Sequence, residues 1–129
     1  MATLRPTSPI GLIVRAAIVA LALATGYIHS TLGGLLFSLN AAGYVVAAAA
    51  MIAPIGLAVR FRWFIRLGLI GYAATAIVGW YLIGPRYDTA YLAKGIELVL
   101  IGLLLVEVWA YDGNPIARIR RAFEPAHRA

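Results

Sequence analysis

The chain has 129 residues, of which 63% are hydrophobic and only 12% charged, with a formal net charge of +6 and no cysteine. An average soluble domain carries about 25% charged residues, and one short domain could not hide this much apolar surface. These numbers exclude a water-soluble globular enzyme and a disordered chain, and the absence of cysteine excludes disulfide frameworks, zinc knuckles, iron–sulfur clusters and thiol nucleophiles.

A helix crossing bilayer hydrocarbon needs about 20 predominantly apolar residues, and four such stretches follow one another. The first runs from about Gly11 to Ser30, with no charge after Arg15. Thr31-Leu32-Gly33-Gly34 is a turn too short for anything but two antiparallel neighbours. The second span runs from about Gly34 to Val59, charge-free, with Asn40 its most polar residue and Pro54 placed to kink it near its end. Arg60-Phe61-Arg62 is a tight basic loop. The third span covers about Trp63 to Ile83, with Arg66 near its start. Gly84-Pro85-Arg86-Tyr87-Asp88 is rich in turn residues, and Asp88 suits an N-cap. The fourth span, from about Thr89 to Tyr111, contains Lys94, Glu97 and Glu107, and Asp112-Gly113-Asn114-Pro115 ends it. Open β segments would leave backbone groups unsatisfied in lipid, so all four spans must be helices. The expected fold is all-α, an integral membrane four-helix up-down-up-down bundle over residues 1–115, followed by a basic amphipathic tail over 116–129.

The positions of the arginines set the orientation. Arg5, Arg15, Arg60, Arg62, Arg66, Arg118, Arg120, Arg121 and Arg128 fall on one side, against Arg86 and Lys94 on the other. The positive-inside rule makes the richer side cytoplasmic and places both termini inside, in the cytoplasmic (inner) cell membrane. Arg5, the apolar run and Ala22-Leu23-Ala24 imitate a secretory signal peptide. Arg15 sits late for that pattern, and removing the segment would unbalance the arginine distribution, so a retained first span is preferred.

In the tail, Ile116, Ile119 and Phe123 share one helical face while Arg118, Arg120 and Arg121 point away from it. This suits a segment lying on an anionic inner leaflet, although topology-setting charge alone accounts for the same residues. No basic stripe with interleaved aromatics occurs, so nucleic acid is not an expected partner. The expected partners are the lipid bilayer and a larger membrane complex or further copies of the chain. Trp63, Trp80, Trp109, Tyr81, Tyr87, Tyr91 and Tyr111 gather at span ends as aromatic belts.

Ionisable residues inside a span are functional candidates by default. Glu97 lies about 12 Å into the fourth helix and Asn40 about 9 Å below the Gly33-Gly34 turn, at 1.5 Å per residue. Lys94 precedes Glu97 by one turn, so the two can pair. His29 ends the first span, and Tyr44 shares the face of Asn40 one turn on. Topology therefore collects His29, Asn40, Tyr44, Lys94 and Glu97 in one outer layer. As a ligand site, the layer would be a polar pocket for a lipid headgroup, a quinone or another small amphiphile, with Glu97 the anionic contact and His29 its proton partner. As structure, Lys94 and Glu97 neutralise each other and Asn40 ties two helices together. Glu107 is expected to pair with Arg15, Arg60, Arg62 or Arg66 and fix a helix orientation. Gly95 and Gly102 form a small-residue stripe suited to close helix packing. Metal-ligand spacings, phosphate loops and nucleophile elbows do not occur, so neither metal nor cofactor is expected. His29 is the only histidine in a span, so a haem would need two copies of it across a dimer.

The stretch Tyr27-Ile28-His29, Leu32-Gly33-Gly34-Leu35-Leu36-Phe37 and Leu39-Asn40-Ala41-Ala42-Gly43-Tyr44 resembles an uncharacterised family of small four-helix membrane proteins of bacteria and archaea. In these a histidine ends helix one and an LNA-x-GY segment opens helix two. The resemblance covers mainly the first half of the chain, implies a four-helix membrane protein, and draws attention to His29, Asn40 and Tyr44. A looser similarity to DoxX-like four-helix proteins rests on size and helix count alone.

Composition identifies the kind of object but supplies no activity. The first expectation is a non-enzymatic accessory or assembly subunit of a membrane complex, or a homo-oligomer. The second is a binder or carrier of a small amphiphile, and the third a membrane redox subunit.

Overall fold

The structure, a computed structural model, describes residues 8–124, with the side chains of Asp112, Pro115, Arg118 and Ala122 outside that description. Arg5, His127 and Arg128, as well as the Arg118 side chain expected at the lipid surface, therefore lie outside the described residues. The described chain is all-helical: α1 (Pro9–Thr31), α2 (Leu35–Ile52), α3 (Gly56–Arg60), α4 (Arg62–Ile83), α5 (Asp88–Glu107), a π-helical turn (Val108–Asp112) and α6 (Pro115–Phe123). Four helices are long and apolar enough to cross a membrane, namely Pro9–Thr31, Leu35–Ile52, Arg62–Ile83 and Asp88–Tyr111. The shortest, α2, has 18 residues and rises about 27 Å, just under the roughly 30 Å of bilayer hydrocarbon.

Local chemistry explains most of the boundaries. Ser8 caps α1 by accepting from the Gly11 amide at 3.0 Å, with Pro9 at the first helical position. The α1–α2 turn needs both of its glycines, since Gly33 (φ 76°) and Gly34 (φ 87°) adopt the left-handed region that side chains disfavour. Asn114 caps α6 by accepting from the amides of Ile116 and Ala117, again with proline at the first position.

Two boundaries differ from expectation. Pro54 ends α2 instead of kinking it: Ala53 before it is extended (ψ 126°), and the chain resumes as the separate short helix α3. The ring of a proline disfavours helical backbone at the residue before it, which is sufficient cause. Asp88 is not the N-cap of α5; Tyr87 holds that place without a side-chain bond, and Asp88 is the first helical residue. Its carboxylate still lies where the helix dipole favours negative charge.

Helix α1 packs on α2 and α5, while α4 packs on α5 and more loosely on α2. The core between them is Ile18 and Ala22 of α1, Tyr44, Ala48 and Met51 of α2, Leu69 of α4, and Leu100 and Leu104 of α5. Small residues set the closest approach. A Cβ on Gly26 would stand 3.3 Å from the Cβ of Tyr44 and 3.4 Å from the Ala41 carbonyl oxygen. A Cβ on Gly43 would run into the Tyr72 hydroxyl. The expected packing stripe of Gly95 and Gly102 faces outward instead, with nothing within 4 Å of an added Cβ. Helix α5 turns its other face inward, burying Ala93, Lys94, Glu97, Leu100, Leu104 and Glu107. Large apolar side chains cover the exterior: Leu35 and Leu36 are each 75% exposed and Ile83 is 91% exposed. Continuous apolar surface of this kind is a liability in water and ordinary in lipid.

Candidate functional site

The buried stripe of α5 carries two carboxylates, Glu97 near the middle of the helix and Glu107 at its last residue, and each sits in its own polar cluster. On the side toward the α1–α2 turn, Glu97 is completely buried. Its position one turn after Lys94 lets the ammonium reach back along the same helix, and Lys94 Nζ lies 2.8 Å from Glu97 Oε2. Tyr44 reaches across from α2 and donates its hydroxyl to Oε1 at 3.0 Å, while Thr25 of α1 donates to the same oxygen at 3.2 Å. Both carboxylate oxygens are therefore satisfied by groups on three helices, which a charge removed from water requires.

His29 follows Thr25 by one turn, so both face the same cluster. Its Nδ1 lies 2.7 Å from the Thr25 carbonyl oxygen, which can only accept, so Nδ1 carries the proton of that bond. Nε2 is left facing Glu97 Oε1 at 3.8 Å. With a neutral ring, a lone pair faces the carboxylate; a proton at Nε2 turns the contact into an ion pair. The ring stacks obliquely on Tyr44 and Phe37 at 5.8 and 6.2 Å. Both nitrogens of His29 point into the protein, so neither is presented to a haem shared with a second chain.

The structure brings together four of the five residues expected in this layer: His29, Tyr44, Lys94 and Glu97. Asn40 stands apart in its chemistry. It is half-buried, and its contribution is the backbone carbonyl, which accepts from the Tyr72 hydroxyl at 2.9 Å. Tyr72 in turn meets Tyr44 edge to face at 4.9 Å. Two participants, Thr25 and Tyr72, were not anticipated. The four-residue spacing of Thr25 and His29 places them on one helical face and could have revealed the first. Tyr72 carried no such signal, because its partner is a main-chain atom on another helix.

At the opposite end Glu107, also completely buried, takes Arg66 Nε on Oε2 at 2.9 Å and Arg15 Nε on Oε1 at 3.2 Å. This narrows the four expected cations to two. Arg62 instead donates to the carbonyl of Ala53, 2.9 Å away, at the exposed carbonyl end of α2. Arg60 lies over the ring of Phe61. Arg66 also lies 5.2 Å from the ring centre of Tyr111. Among the described residues no group of three or more His, Asp or Glu side chains is placed to hold a metal ion.

The two carboxylate clusters bracket an apolar middle of Ile18, Ala22, Leu100 and Leu104. Together they join α5 to α1 and to α4 at both levels, and to α2 at the level of Glu97. Comparison of the chain with protein-family models, with curated proteins and with solved structures gives no match.

Proposed function

We propose that this chain is a multi-pass protein of the cytoplasmic membrane, an up-down-up-down bundle with both termini on the cytoplasmic side. In this reading it acts as a non-enzymatic accessory or assembly subunit of a larger membrane complex, or as a homo-oligomer. The observation that carries the reading is that both buried carboxylates are neutralised from within the chain. Glu97 and Glu107 have no exposed surface and are matched by cations within the same chain. What the protein offers outward is apolar side chain and the outward-facing glycines Gly95 and Gly102, where another helix can come close. The orientation rests on the arginines, with Arg15, Arg60, Arg62, Arg66, Arg120 and Arg121 at one end and Arg86 and Lys94 toward the other. The resemblance carried by His29, Asn40 and Tyr44 agrees with a small four-helix membrane protein. Purification in mild detergent followed by native mass measurement tests the assembly. The expected result is a discrete complex above the 13.8 kDa of one chain. A strict monomer with no stoichiometric partner, in several detergents and in nanodiscs, overturns it.

A second reading, binding of a small amphiphile such as a quinone or a lipid headgroup through His29, Tyr44, Lys94 and Glu97, is favoured by one observation. His29 Nε2 faces Glu97 at 3.8 Å without a hydrogen bond between them; a ligand carbonyl could accept from a protonated Nε2, and a ligand hydroxyl could accept there and donate to Glu97 as well. Because Glu97 and Tyr44 are completely buried, a ligand must part the cluster to reach them. Titration with ubiquinone-1, followed by the histidine NMR signals, tests this reading. A shift of the His29 signal that Glu97→Gln abolishes supports it, and an unchanged signal at saturating quinone refutes it.

A further inference from the structure

A slot of about 490 Å³ opens at the end of the molecule that carries Arg60 and α6. One wall is the apolar face of α6, Ile119 and Phe123, and the other is the first turns of α4, with Phe61, Phe64 and Leu67. A second groove, of about 450 Å³, lies between α2 and α4, and the two share Phe64 and Gly68. The two adjoin at these residues, so apolar recesses follow one another along α4 from Phe61 to Tyr72. That stretch rises about 16 Å, close to half of a bilayer's hydrocarbon thickness, the length available to one acyl chain of one leaflet.

The Phe61 end of these recesses is cationic. The Arg60 guanidinium lies 5.6 Å from the ring centre of Phe61, which lines the slot. Arg120, next to Ile119 in sequence, is exposed at the flank of the apolar face of α6, and Arg121 is exposed on the side turned away from the slot. Against these stands Glu124, 3.8 Å from Arg120 in a largely exposed pair. An exposed cation beside the slot, Arg60, and a second at the flank of its α6 wall, Arg120, together with apolar lining of this length, match the two parts of an anionic glycerophospholipid. A zwitterionic headgroup would bring its own cation to the same arginines and lose that advantage.

We propose that α4 and α6 form a discrete binding site for an anionic glycerophospholipid, its phosphate held between Arg60 and Arg120 and one acyl chain laid over Phe64 and Gly68. This inference rests on the chain spanning a membrane and is independent of whether it joins a larger assembly.

The test uses the full chain in detergent, titrated with phosphatidylglycerol or with phosphatidylcholine of identical acyl chains and read by native mass spectrometry. Retention of phosphatidylglycerol with a preference on the order of tenfold is expected from one or two arginines near an anionic group. The double variant R60Q/R120Q should lower that preference to within about twofold of unity, leaving the phosphatidylcholine level in place. Gly68→Leu starts a side chain where an added Cβ meets nothing within 4 Å and extends it into the space the acyl chain would take. It should reduce retention of both lipids while helix content by circular dichroism stays unchanged. Ile119→Gln, on the other wall, is the second recess variant should Gly68→Leu fail to fold. Equal retention of the two lipids by the unmodified chain overturns the proposal. So does a preference that survives loss of the two arginines, or phosphatidylglycerol retention unaffected by a folded recess variant.

Discussion

Lys94→Met tests whether the buried charge of Glu97 depends on its cation. The substitution keeps the length of the aliphatic stem but removes the ammonium that lies 2.8 Å from Glu97 Oε2. Tyr44 and Thr25 still donate to Oε1, while Oε2 loses its partner. The carboxylate side chain has no exposed surface through which water could replace that partner. Stranding one member of a buried pair costs about 3–5 kcal/mol, a large share of a stability of about 5–15 kcal/mol. Glu97→Gln is the informative counterpart. The Lys94 side chain keeps 11% exposure, and its ammonium also lies 3.4 Å from the Ala76 carbonyl. A stranded ammonium therefore has partial relief, and the loss should be about 1–3 kcal/mol. In the double variant neither charge is left alone, so its loss should fall below the sum of the singles by about 1–3 kcal/mol. Reversible unfolding in mixed micelles, or steric trapping in bicelles, measures all three. A Lys94→Met loss below about 1 kcal/mol, or strict additivity in the double variant, would refute the claim that the pair exists to neutralise an enclosed carboxylate.

The same measurement separates the two cations of Glu107. Arg66→Gln should cost more than Arg15→Gln, since the Arg66 side chain is 5% exposed at 2.9 Å and that of Arg15 is 16% exposed at 3.2 Å; equal losses would contradict the ranking by burial. Gly43→Ala should destabilise by about 1–3 kcal/mol, because the new methyl displaces the Tyr72 ring and with it the bond to the Asn40 carbonyl. Gly95→Ala, facing open space, should gain up to about 1 kcal/mol from helix propensity in a chain studied alone. A loss there at assembly-forming concentrations, absent from the monomer, would instead locate a helix contact at that face. Gly34→Ala forces an alanine to φ 87° and should cost about 1–2 kcal/mol, detectable as a lower thermal midpoint; an unchanged midpoint would mean that the α1–α2 turn relaxes.

How much of this could be read from the chain depends on the range of each interaction. Hydrophobic run length located all four long helices, because a 20-residue apolar segment has few physical alternatives. Glycine at Gly33 and Gly34 marked the turn for an equally local reason, the left-handed backbone. Lys94 with Glu97 was legible because both lie on one helix, three residues apart. Readings weakened wherever the outcome depended on competition between helices. Four arginines were equally available to Glu107 in one dimension, and only the packing of α1 and α4 against α5 selected Arg15 and Arg66, leaving Arg62 to the end of α2. Asn40 shows the same limit from the other side. As the most polar residue of its span, it drew attention to its amide. Yet the tyrosines organise that part of the interior: Tyr44 brings a hydroxyl to the carboxylate, and Tyr72 uses the Asn40 main chain. Tyrosine is read as apolar by hydropathy and as an interfacial anchor by position, so neither scale foretells a hydroxyl placed at depth as a donor. In a membrane interior, where an unmatched carboxylate is costly, such donors follow from Glu97 itself: once a buried acid is located, neighbouring hydroxyls on facing helices are the first residues to examine. By that criterion Thr25 and Tyr44, and not Asn40, are the expected companions of Glu97.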